Sequence, residues 1–71
     1  MDVERLRILK RILETPKGER KNHLTVQQSD PDMPLIQDMI YKGYIINYGL
    51  YDYGYLVTCS AMGVKEVYDG E

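Results

Sequence analysis

Cysteine and histidine are almost missing from this sequence. Cys59 is the single cysteine and His23 the single histidine. One thiol cannot close an intrachain disulfide, and one of each cannot assemble a His/Cys metal cluster. Cys59 is expected as a buried free thiol, with a link between two copies as the alternative. Long apolar runs are missing too: no stretch approaches the ~18 residues that span a bilayer. The first residues alternate charged and apolar side chains and lack the apolar core of a secretory signal. The expectation is a cytoplasmic protein with no membrane partner. No glycine-rich phosphate loop occurs, no Ser or Cys stands at a suggestive spacing from the histidine, and carboxylates cluster only at Asp30 and Asp32. A non-enzyme follows as the expectation, with no catalytic residue, cofactor or metal.

What is present fits one domain spanning residues 1–71. A core of this size supplies about 3–5 kcal/mol of net stability. With disulfide and metal excluded, dimerisation is the remaining source of extra stability. The net charge of −2 argues against strong non-specific nucleic-acid binding. Its distribution is uneven, however. Residues 1–23 hold seven Lys/Arg against four Asp/Glu, and residues 24–71 hold two against seven.

The spacing predicts a first helix over 2–14. Val3, Leu6, Leu9 and Leu13, with Ile12 beside them, make its apolar stripe, and Ile8 falls at the edge. Asp2 is suited to cap it, and Thr15-Pro16 ends it. Residues 17–22 read as a polar loop, whose basic side chains could also meet a phosphate backbone. Leu24-Thr25-Val26-Gln27 reads as a short strand, with one turn of helix as the alternative. Asp30 or Asp32 then caps a helix over 33–42, with Ile36, Met39 and Ile40 inward and Gly43 as the left-handed residue past its end. A hairpin follows: Tyr44–Tyr48, a tip over 49–53, and a return strand ending at Cys59. Tyr55, Val57 and Cys59 are expected on its core face, with Leu56 and Thr58 opposite. Ser60 caps a last helix striped by Val64, Val67 and Tyr68.

Gly43-Tyr44-Ile45 after an amphipathic helix, then a hairpin, then Ser60-x-x-Gly63 opening a helix, resembles the winged helix-turn-helix of many bacterial regulators. There the same places often read Gly-aromatic/aliphatic-Ile and Thr-x-x-Gly. The first helix, alternating Arg/Lys with Leu/Ile, resembles small uncharacterised winged-helix proteins of prophages. The resemblance covers most of the chain. It implies a small α+β winged helix in the order helix, short strand, helix, β-hairpin wing, C-terminal helix. It also implies a transcriptional regulator that sets the helix over 33–42 in a major groove and the hairpin against the backbone or minor groove. Lys17, Arg20, Lys21, Gln37 and Lys42 are the nucleic-acid contacts expected on this reading. Binding to double-stranded DNA through so few cations should be weak and salt-sensitive.

Six of the seven tyrosines lie between 41 and 55. Strands favour tyrosine, so two or three rings are expected on the core. Tyr48, Tyr51 and Tyr53 are the candidates for an exposed interface, because tyrosine joins a large apolar face to a polar tip. That supports a second reading, a non-catalytic protein-interaction module, homodimeric through a tyrosine-rich hairpin.

Overall fold

In a computed structural model, which describes residues 1–15, 22–51 and 54–70, with Tyr51 by its backbone only, the elements run α1 (Val3–Leu13), β1 (His23–Val26), α2 (Met33–Tyr41), β2 (Ile45–Tyr51), β3 (Gly54–Cys59) and α3 (Ala61–Asp69). The three strands form one antiparallel sheet in the order β1-β3-β2. The architecture is α+β, and the short segment after residue 22 is a strand rather than a helical turn. No helix among the described residues is long and apolar enough to cross a membrane.

Local chemistry explains most boundaries. Asp2 accepts the Arg5 amide at 2.9 Å and so caps α1. At the end of α2, Tyr44 N donates to Met39 O at 2.9 Å and Gly43 N to Ile40 O at 3.1 Å. That pair of bonds is a Schellman stop, and it requires the left-handed φ of 90° that Gly43 adopts. Asp32 occupies the cap position of α2 but makes no side-chain cap bond. Its neighbour's carboxylate, Asp30 Oδ1, accepts the Asp32 amide instead, at 2.9 Å.

The helices share one face of the sheet. Ile8, Leu9 and Ile12 of α1, Met33, Ile36 and Met39 of α2, and Val67 of α3 close over Val26, Ile45 and Val57. Tyr55 and Cys59 pack against this cluster from the same side as Val57, as their alternation requires. Besides Tyr68, expected on the apolar stripe of α3 and in fact 71 % exposed, two expectations need correction. The buried stripe of α1 is rotated by about a quarter turn from the expected one. Ile8 is fully buried while Val3 is 79 % exposed. The expected stripe ignored α3, whose end reaches Leu6: a side chain on Gly70 would come within 3.0 Å of a Leu6 methyl. Leu6 and Leu13 therefore flank the core instead of leading it. The second correction is in the hairpin, where Leu56 lies on the face away from the helices yet is only 7 % exposed. It sits in the central strand, opposite Thr25 of β1 and beside the irregular step of β2 between Asn47 and Leu50. β2 also runs past the expected tip, as far as Tyr51.

Gly63 shows why the last helix opens as it does. A Cβ there would collide with the Tyr44 carbonyl and approach Leu9 to 3.2 Å. Ser60 ties the same corner: its hydroxyl donates to Gly43 O at 2.5 Å and accepts from Gly63 N at 3.2 Å, and its amide donates to Tyr44 O at 3.0 Å. The start of α3 is thus bonded to the turn that ends α2.

Candidate functional site

The candidate surface is α2 and the hairpin that follows it. α2 buries Met33, Ile36 and Met39, so helical spacing turns Pro34, Gln37 and Tyr41 outward. Tyr41 is 90 % exposed. The acidic residues of this region do not lie in that stripe. They are drawn toward α1.

Arg7 Nη2 lies 2.8 Å from Asp32 Oδ1, and Arg11 Nη1 2.8 Å from Asp32 Oδ2. Arg11 Nη2 lies 2.9 Å from Asp30 Oδ2. Arg5 Nη2 lies 3.0 Å from Asp38 Oδ2 and its Nη1 2.6 Å from Asp2 Oδ2. Lys42 Nζ reaches the same Asp38 oxygen at 3.2 Å. Three arginines of α1 thus hold three carboxylates on the loop before α2 and on α2 itself. The electrostatics follow from these pairings. Arg11 beside it holds the Asp30 carboxyl below its ordinary range. Arg7, then Arg11, does the same for Asp32, and Arg5, then Lys42, for Asp38.

Of the residues expected from sequence, Gln37 is exposed on α2. Lys42 stands at the end of the same helix, paired with Asp38. Lys17, Arg20, Lys21 and Tyr53 lie outside the described residues, as does the side chain of Tyr51. Tyr48 is 59 % exposed, and its ring centroid lies 5.5 Å from that of His23 on β1. The structure therefore places Gln37 and Lys42 on one helix, and Tyr48 on the sheet.

Sequence reasoning missed the arginine–aspartate network. It treated the basic first third as a candidate phosphate surface and the acidic residues as a separate property. A signal was available: Arg7 and Arg11 are four apart, so they share a helix face, and Asp30 and Asp32 stand two apart in a turn. Pairing them needed the knowledge that α1 lies beside α2.

Cys59 offers no reactive thiol. Its Sγ donates to Leu9 O at 3.5 Å, and burial pushes its pKa up to about 11. Among the described residues, no group of three or more His, Cys, Asp or Glu side chains is placed to hold a metal ion. One concavity, about 680 Å³, is a shallow trough along α1 bordered by Val3, Leu6, Arg7, Lys10, Arg11 and Glu14, where Arg7 and Arg11 are paired with the aspartates before α2. No protein-family model matches the chain, and neither a curated protein nor a solved structure is significantly similar to it.

Proposed function

We propose that this chain is a small winged-helix domain that binds double-stranded DNA through the outward stripe of α2, with the β2–β3 hairpin as its wing. One observation carries the reading. Asp32 and Asp38, the two carboxylates that would repel phosphates from α2, are held by Arg7, Arg11, Arg5 and Lys42. The stripe left to solvent is Pro34, Gln37 and Tyr41, which is uncharged and carries an amide suited to a base edge. The element order and the strand order β1-β3-β2 support the winged-helix part of the proposal. Function is argued from the helix surface, because the fold alone hosts many activities.

The same pairings set the strength. With the α1 arginines and Lys42 engaged, the phosphate contacts fall to Lys17, Arg20 and Lys21. Each contact releases about one counterion, so binding should be weak and should fall steeply with salt. The test is a fluorescence-anisotropy titration of a labelled duplex at two salt concentrations. Binding at low salt, lost at moderate salt and reduced by Arg20→Ala with Lys21→Ala, is the expected result. Absence of binding at low salt overturns the function, and tight binding indifferent to salt overturns the mechanism.

A further inference from the structure

Four side chains on α2 or at its two ends carry a charge or an amide: Asp32, Gln37, Asp38 and Lys42. In a major groove each type has its own base partner. Lysine donates to O6 and N7 of guanine, and a carboxylate accepts from the N4 amine of cytosine. The amide of glutamine both donates and accepts, which matches N7 and the N6 amine of adenine. Asp32, Asp38 and Lys42 are therefore readers of G·C pairs, and Gln37 is a reader of A·T.

The fold engages the first three and leaves the fourth. Both oxygens of Asp32 are taken, one by Arg7 and one by Arg11, at 2.8 Å each. Asp38 Oδ2 lies 3.0 Å from Arg5 Nη2 and 3.2 Å from Lys42 Nζ, so the lysine and the carboxylate occupy each other. Gln37 is exposed, and its amide has no hydrogen-bond partner among the described residues. Its neighbours on the outward stripe are Pro34 and Tyr41. At 1.5 Å of rise per residue they stand about 4.5 and 6 Å from it along the helix axis. That is one to two base steps of ~3.4 Å. Both offer an apolar surface, which suits the methyl group of thymine.

We propose that α2 reads A·T base pairs in the major groove, with Gln37 on adenine and with Pro34 and Tyr41 against neighbouring thymine methyls. The preference rests on the DNA-binding role proposed above and gives it a target chemistry. Phosphate contacts from the loop cations set position on the duplex, and Gln37 carries the sequence information.

The experiment is fluorescence anisotropy at low salt with two labelled duplexes of equal length, one A·T-rich and one G·C-rich. The A·T-rich duplex should bind about tenfold more tightly, the discrimination that one bidentate amide–adenine pair supplies. Replacing adenine by 7-deazaadenine removes the N7 acceptor and leaves base pairing and the minor groove intact. That duplex should lose the preference. Gln37→Ala should bind both natural duplexes alike, and circular dichroism verifies that this exposed substitution leaves the chain folded. Equal binding of the two duplexes by the parent overturns the inference and leaves the DNA-binding role standing. A preference that survives 7-deazaadenine, or that survives Gln37→Ala, also overturns it, since the sequence is then read elsewhere. Absence of binding to either duplex overturns the DNA-binding role and the inference together.

Discussion

α1, α2 and the loop before α2 bring three arginines and three aspartates into ion-pair contact, whereas β1, β2 and β3 carry no formally charged residue. Both regions sit at the surface, and both border the same core. They solve different problems. On the helical side, guanidinium–carboxylate pairs, those of Arg7 with Asp32 and Arg11 with Asp30 bidentate, give the contact between two short helices a fixed geometry. The sheet side needs no such help, because its ladder bonds already fix its geometry. It is left with an uncharged outer face. Charge at a protein surface can therefore be structural on one side and absent on the other, and the net value of −2 describes neither.

The comparison can be broken most severely from beneath. Leu9 is fully buried and touches both systems: its carbonyl accepts from Cys59 Sγ, and its side chain faces Gly63. Leu9→Ala should cost about 2–5 kcal/mol, which is most of the stability of a domain this small. Thermal unfolding followed by circular dichroism should show a collapse of the transition. A parent-like melt would mean that α1 does not pack on the domain.

A smaller effect isolates the helical side. Asp30, Asp32 and Asp38 have carboxyls held below their ordinary range in the folded chain. A depressed carboxyl contributes stability above its unfolded value, about 3.9. That contribution is lost as pH falls through the lower folded value. The melting temperature should therefore be insensitive to these three groups at neutral pH and should drop below about pH 4. Asp32→Asn should lower stability at pH 7 by on the order of 1 kcal/mol and make the acid drop shallower. An unchanged acid profile in that variant would show the pairs to be ornaments of the surface.

The smallest effect isolates the sheet side. Ile46→Lys should change stability by less than about 0.5 kcal/mol, because its side chain is part-exposed on the face away from the helices. Urea denaturation measures this. A loss of several kcal/mol would mean that the face is covered within one chain.

The linear order of residues determined whatever depends on a few neighbours. Asp2 caps α1, Gly43 stops α2 and Ser60 opens α3 because a carboxylate, a missing Cβ and a hydroxyl act on backbone groups within a few residues. The core face of β3 was legible for the same reason, since alternation is a property of the strand alone. Tertiary structure decided the rest. Ile8 and Val3 both fit an apolar stripe, and only the placement of α1 between the sheet, α2 and α3 decides that one is fully buried and the other 79 % exposed. Gly63 is required by a carbonyl nineteen positions back in the chain, at Tyr44. The arginines of α1 look like a phosphate surface until the fold sets Asp30, Asp32 and Asp38 beside them. Coulomb attraction and close packing act between whatever groups the fold brings within a few ångströms, and separation along the chain does not predict that distance.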